Sequence, residues 1–179
     1  MDRLILDLCG GTGSWSKPYR DAGYFVSVIT LPDQDVRLME YPLMRVHGIL
    51  SAPPFTMFDS SGARWKRTDE QMIEALSIVD SCLRIIFLSK PKWWALENPV
   101  GKLKRYLGPP VMYFDPCDFG ATYTKRTCLW GNFNPPIKKC FPVTEGKNPI
   151  HYMPPSKERA ASRSITPIEF AQAFMEANP

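Results

Sequence analysis

Short apolar runs closed by turn-forming clusters alternate, over the first hundred residues, with stretches of helical period. Residues 3–8, with Leu4-Ile5-Leu6-Asp7-Leu8 at their centre, read as a strand. The run breaks at Gly10-Gly11-Thr12-Gly13, and residues 15–22 then read as a helix stopped by Gly23. Strands are predicted at 25–30, briefly at 35–37, and at 46–51. A long helix is predicted over 68–89, with Thr68 as N-cap, Asp69 and Glu70 in its first turn, and Met72, Leu76, Val79 and Leu83 along an apolar stripe. A strand at 93–96 runs into Glu97-Asn98-Pro99. A short helix near 100–106 and strands near 111–114 and 126–130 follow. Residues 132–162 read as largely irregular. A final helix, 167–177, carries Thr166 as cap, Pro167 at its first position and Glu169 to complete a capping box.

Strands alternating with helices predict an α/β fold with a mixed, mostly parallel sheet flanked by helices. In such sheets a ligand sits beyond the carboxyl ends of the strands. Three segments rich in chemical groups follow predicted strand ends: Gly10 to Gly13, Ser51-Ala52-Pro53-Pro54-Phe55, and Glu97-Asn98-Pro99. A strand that turns through glycines into a helix brings backbone N–H groups close to a ligand. The spacing differs from the dinucleotide G-x-G-x-x-G, and no Walker-type lysine follows. Asp7-x-x-x-Gly11-x-Gly13 points instead to S-adenosylmethionine (SAM), with a glycine-rich hairpin as the other reading.

Composition narrows the classes. The 179 residues fit one domain, 1–179, with 44% hydrophobic and 22% charged positions, and no apolar run reaches the ~18 residues of a membrane span. Met1-Asp2-Arg3 leads directly into the first strand, so no signal peptide is expected. The five cysteines (9, 82, 117, 128 and 140) show no C-x-x-C pairing, and only His47 and His151 are histidines. Reduced thiols in the cytoplasm, with no metal site, are therefore expected. The net charge of +4 is mild, but the cations cluster beside aromatics: Arg64, Lys66 and Arg67 flank Trp65, and Lys102, Lys104 and Arg105 precede Tyr106. Such clusters suit a polyanion or form a solvated basic surface.

Five segments in order carry a resemblance: Asp-Leu-Cys-Gly-Gly-Thr-Gly-Ser, Pro-Pro-Phe-Thr, Leu-Glu-Asn-Pro-Val-Gly, Tyr-Thr-Lys-Arg-Thr-Cys-Leu-Trp-Gly and Arg-Ser-Ile-Thr-Pro-Ile-Glu-Phe. Together they span nearly the whole chain, which resembles the DNA (cytosine-5) methyltransferases in a compact phage or prophage form. The resemblance implies a Rossmann-like SAM-dependent methyltransferase fold and a location in the bacterial or phage-infected cell. It implies that Asp7, Cys9, Gly10, Gly11, Gly13 and Ser14 hold SAM, that Asp33 and Asp35 stand where the family's ribose and adenine acids stand, and that Pro53 belongs to the same cofactor wall. Glu97 and Asn98 match the family's pair that hydrogen-bonds cytosine. Arg126 aligns with the last Arg of the family's Gln-x-Arg-x-Arg motif, with Thr122 and Thr124 at the other two positions. Arg64 and Trp65 fall in the loop that closes over a flipped base in the family.

Two departures from the family matter. Its Pro-Cys nucleophile is replaced by Pro54-Phe55, and a phenyl ring cannot attack carbon 6 of cytosine. Residues 132–162 are also a short insert in place of the large target-recognition domain, so specificity is expected to be poor or supplied by a partner or second copy. The expected partner is double-stranded DNA or a pyrimidine nucleotide, and no membrane. Alternatives to a ring methyltransferase stay open at this point: an amine-directed nucleobase methyltransferase, since Ala52-Pro53-Pro54-Phe55 approaches its Asp/Asn/Ser-Pro-Pro-aromatic motif, a binding protein without turnover, or an enzyme of free pyrimidine nucleotides.

Overall fold

A computed structural model describes the chain except residues 1–2, 41–44, 60–65, 148–155, 157–161 and 163. Eight strands are described: β1 (Leu4–Leu8), β2 (Phe25–Ile29), β3 (Val46–Ser51), β4 (Trp93–Pro99), β5 (Met112–Phe114), β6 (Tyr123–Thr124), β7 (Thr127–Asn132) and β8 (Gly146–Lys147). The helices are α1 (Lys17–Asp21), α2 (Asp69–Ser89), α3 (Lys104–Leu107) and α4 (Ile168–Ala177). Six strands form one sheet in the order β2-β1-β3-β4-β7-β5. The first four are parallel to one another, and β7 runs antiparallel to both β4 and β5. β6 and β8 pair separately. This is the mixed, mostly parallel α/β sheet expected from the sequence.

Register explains why the loops meet. Leu8 lies opposite Ile29 and Ser51, and Ser51 opposite Leu96. The next residue on each strand, Cys9, Thr30, Ala52 and Glu97, therefore emerges at one level of the sheet. Two hydrogen bonds carry the ladder past the strand ends: the Cys9 N–H donates to the Ile29 carbonyl at 2.8 Å, and the Ala52 N–H to the Leu8 carbonyl at 2.9 Å.

Each face of the sheet is packed. On one, Leu6, Leu8 and Ile49 meet Cys82, Ile85 and Ile86 of α2. The Thr68 hydroxyl accepts from the Gln71 N–H, and the Gln71 side chain accepts from the Thr68 N–H, so the expected Thr68 cap is present with Gln71 as its partner. On the other face Trp15 and Tyr19 pack with Phe170 and Phe174 of α4, and Phe170 stacks on Phe114 with ring centroids 3.9 Å apart. Aromatic pairs of this kind add ~0.5–1.5 kcal/mol each beyond the burial of their area, so α4 is fixed against β5 and, through Trp93, against β4. Trp93 is buried in this core, and Cys128 is buried within β7.

Several expectations are corrected. The segment 35–37 is not a strand: Val36–Leu38 is a 3-10 turn, because the Asp35 carboxylate accepts the Arg37 N–H at 2.9 Å and closes the backbone locally. Thr166 does not cap the last helix. Pro167 occupies the N-cap position with no side-chain cap, and the buried Thr166 instead donates its N–H to the Ser14 hydroxyl at 3.0 Å. The helix near 100–106 is the single turn Lys104–Leu107, and β4 runs on to Pro99, so Glu97 and Asn98 lie within the strand.

Candidate functional site

The glycine turn after β1 is shaped by what lies beneath it. Asp7 is fully buried in β1, with the Ser16 hydroxyl donating to its Oδ2 at 2.5 Å. Gly10 lies so close over this carboxyl that a Cβ would overlap it. Gly11 and Gly13 take left-handed backbone, φ 55° and 70°, and the Gly13 N–H closes the turn onto the Gly10 carbonyl at 2.8 Å. Those angles favour glycine. Burial pushes the Asp7 carboxyl up to about 6, against the opposing pull of the Ser16 hydroxyl and Arg20. Its Oδ1 has no hydrogen-bond partner among the described residues. Asp7 thus supports the turn from below.

Above it opens a cleft of about 240 Å³. Cys9, Gly10 and Gly11 form one wall, and Ala52 to Thr56, with Phe55 half-buried, form the second. Glu97, Pro99 and Lys125 close the third side, and Ser164 sits at the margin. A second hollow of about 120 Å³ adjoins it through Cys9 and Pro54, the two residues common to both linings. Ile29, Leu31, Val36 and Ile78 give the second hollow apolar walls, and Asp35 with Gln34 gives it polar edges. The Arg37 guanidinium forks onto Asp35, holding that carboxyl below the usual carboxylate range, and reaches Glu74 with its other nitrogen. An ionised carboxylate beside apolar walls suits a flat heterocycle carrying a hydroxylated sugar. The two hollows in series suit a nucleoside with a further reactant beyond it.

The side of the cleft opposite the glycine turn is built from two strands. Asn98, fully buried, donates from Nδ2 to the Pro53 carbonyl at 2.9 Å and so pins the loop after β3 to β4. Its Oδ1 has no partner among the described residues. Glu97, one residue earlier, faces the cleft, and burial pushes its carboxyl up while the charge of Lys125 pulls the other way. A carboxyl held toward its neutral form can donate a hydrogen bond to a ring nitrogen.

Neither Cys9 nor Cys128 is set up as a nucleophile. Cys9 lies 4.0 Å, sulfur to sulfur, from Cys82, and that contact together with burial pushes its thiol far up. Cys128 is pushed up to about 11 by burial first and by the charge of Glu97 next. A protonated thiol is a poor nucleophile, and Cys9 is the single cysteine in the lining of the cleft.

Of the residues singled out in the sequence, Cys9, Gly10, Gly11, Pro53, Phe55 and Glu97 meet in the cleft, and Asp35 edges the adjoining hollow. Asp7, Gly13, Ser14 and Asn98 act from behind, through the contacts already given. Asp33 is exposed in the turn before Asp35 and lines neither hollow. Arg126 is not brought to the cleft: it pairs with Asp115 at 3.0 Å and lies over the Tyr113 ring, exposed. The cation in the lining is its neighbour Lys125. The two are adjacent at the entrance to β7, and the motif alignment that singles out Arg126 carries no signal for Lys125. Arg64 and Trp65 lie outside the described residues. No group of three or more His, Cys, Asp or Glu side chains placed to hold a metal occurs among the described residues, and no described helix is long and apolar enough to cross a membrane.

No protein-family model matches the chain, and no curated protein matches it in sequence. Its fold matches solved structures. One is described as a "putative DNA modification methyltransferase" encoded within a prophage (E. coli), with a TM-score of 0.53 and 16% identity over 77% of this chain and 47% of that one. Another is the Entamoeba histolytica methyltransferase EhMeth, with a TM-score of 0.51 and 11% identity over 87% of this chain and 61% of that one. The chain therefore has the Rossmann-like methyltransferase fold. It spans less than two thirds of the length of either structure.

Proposed function

We propose that this chain binds SAM and a cytosine base in the manner of the cytosine-5 DNA methyltransferases, with the thiolate route to ring methylation closed by Phe55. The observation that carries the reading is the single cleft in which the glycine turn, Pro53 to Phe55 and Glu97 meet at the carboxyl ends of three adjacent strands. The residues fit the cofactor. Asp35 would hold sugar hydroxyls, the walls from Ile29 to Val36 would flank the adenine, and the turn at Cys9 to Gly11 would take the remainder of the molecule toward the larger hollow. Bound there, SAM supplies a methyl group on a positively charged sulfur.

The base side follows from the chemistry of Glu97 and Phe55. A neutral Glu97 donates to the cytosine ring nitrogen and stabilises the ring as it gains positive character. In the parent reaction a cysteine sulfur bonds to carbon 6 and turns carbon 5 into a nucleophile. Phe55 has neither a lone pair nor an ionisable proton. It offers a flat apolar surface where that sulfur would stand. An amine-directed reaction is less favoured, because Ala52 has no side-chain acceptor and the Pro53 carbonyl already accepts from Asn98.

Calorimetry with SAM and with its demethylated product, followed by transfer of labelled methyl groups to cytosine-containing DNA, tests the reading. Cofactor binding with no 5-methylcytosine is expected, and Phe55→Cys is expected to raise ring methylation from background to a measurable rate. Robust 5-methylcytosine from the unchanged chain would refute the role given to Phe55. Methyl groups found on the exocyclic amine would favour the alternative. The absence of any cofactor binding would remove the whole proposal.

A further inference from the structure

The lip of the cleft is joined to a cationic segment that the site itself does not use. Phe58, at the end of the loop that carries Phe55, accepts the Lys102 N–H on its carbonyl at 2.7 Å. Asp59 bridges to Gly101, where a Cβ would overlap the Phe58 carbonyl, so only glycine allows the two segments to approach so closely. Phe58 and Leu103 are both fully buried at this seam. Lys104, Arg105 and Tyr106 are therefore held by packing against the same loop that lines the cleft, not on a free arm.

Their exposure and chemistry point outward. Lys104 and Arg105 are exposed, and the Tyr106 ring is 50% exposed while resting edge-on against Phe58 at 6.3 Å between centroids. From Asn98 to Phe114 the chain carries Lys102, Lys104 and Arg105 and no carboxylate. Two adjacent cations and an anchored aromatic ring with an open side match what an unpaired nucleic-acid strand requires: charge for phosphates and a platform for a base. A duplex keeps its bases stacked on one another and cannot use the platform.

The geometry points to α3 and the residues leading into it as a docking rail for a single-stranded or locally unpaired nucleic acid, with Lys104 and Arg105 on successive phosphates and a base stacked on Tyr106. The inference deepens the reading of the cleft as a base pocket and rests on it: the rail holds the strand beside the nucleotide that enters.

Fluorescence anisotropy with a 5′-labelled 20-nucleotide strand of mixed sequence, and with the same sequence as duplex, tests it across a salt series. The joint change Lys104→Ala with Arg105→Ala is expected to lower the slope of log affinity against log salt by about 1.4 for the strand. Tyr106→Leu keeps apolar contact with Phe58 and removes the stacking face. It is expected to weaken the strand about 5- to 100-fold and the duplex by much less. Circular dichroism verifies that both variants fold. Strand affinity and salt slope indifferent to both changes would overturn the rail, and calorimetry with SAM and deoxycytidine would then show whether the cleft reading stands without it. Strand binding that depends on these residues, in a chain that binds neither small molecule, would support the rail as a surface and sink the cleft reading.

Discussion

At the end of β1 the cleft is made of backbone, and on the β3–β4 side it is made of side chains. The turn from Cys9 to Gly13 gets its shape from left-handed glycines and from a buried carboxylate that leaves no room for a Cβ at Gly10. The wall from Pro53 to Phe55 is held by the Asn98 hydrogen bond to Pro53 and by backbone bonds at Ala52 and Phe55, and gets its chemistry from what Phe55 and Glu97 carry. A backbone-built half tolerates almost no substitution without losing shape. A side-chain-built half can lose a reaction through one residue while its shape survives. Phe55, where the resemblance places a nucleophile, belongs to this half, and the sheet, the glycine turn and the adjoining hollow are in place around it.

The largest expected effect follows from the first half. Gly10→Ala forces a methyl group against the Asp7 carboxyl. Strain of this kind costs about 1–3 kcal/mol, which lowers Tm by about 3–10 °C for a chain of this size. Because the displaced turn forms a wall of the cleft, SAM binding measured by calorimetry is expected to weaken about 100-fold. Phe55→Cys, by contrast, is expected to leave SAM affinity within about threefold. Equal losses in the two variants would erase the distinction between the halves.

The backbone-built half was the legible one. Asp7, the glycines and the strand before them were readable because a tight turn needs particular residues at particular spacings, and the parallel order followed from alternating strands and helices. What escaped was decided by tertiary partners or by a half-turn of register. Val36-Arg37-Leu38 alternates like a strand, yet the Asp35 side chain folds it into a 3-10 turn. Thr166 sits in a capping pattern, yet its N–H is taken by Ser14 from the other end of the chain. Lys125 and Arg126 are adjacent cations, and only the β7 register places Lys125 in the cleft and Arg126 against Asp115. Lys102, Lys104 and Arg105 beside Tyr106 read as a cluster suited to a polyanion or to solvent, and their seam with Phe58 is visible only in the fold.

The support beneath the glycine turn has its own signature in pH. The Asp7 carboxyl rises from 3.8 to about 6 on folding, so the folded chain holds that proton more tightly than the unfolded one. Stability from this group is fully present below the ordinary value and is lost as pH rises through about 6. The difference corresponds to about 3 kcal/mol. Urea unfolding at pH 4.5 and at 7.5 is expected to show a decline across this interval that flattens in Asp7→Asn, whose amide oxygen still accepts from Ser16. A decline of the same size in both proteins would mean that Asp7 is not the group responsible.

Glu97 provides the smallest effect and the most direct probe of the side-chain half. Its carboxyl is raised by burial and pulled down by Lys125, so a proton on it is more available near neutrality than on an ordinary glutamate. The cytosine ring nitrogen accepts hydrogen bonds and favours the protonated carboxyl, while a thymine ring, which carries N–H at that position, favours the carboxylate. Deoxycytidine binding is therefore expected to strengthen, by up to about tenfold, as pH falls, and thymidine binding to move the opposite way. Glu97→Gln removes the titration, and both profiles should become flat. Lys125→Ala removes the opposing positive charge, and the rise in deoxycytidine binding should then begin at higher pH. Deoxycytidine and thymidine profiles that stay parallel in the unchanged chain would mean that this carboxyl does not touch the base, and the side-chain half would lose its recognising group.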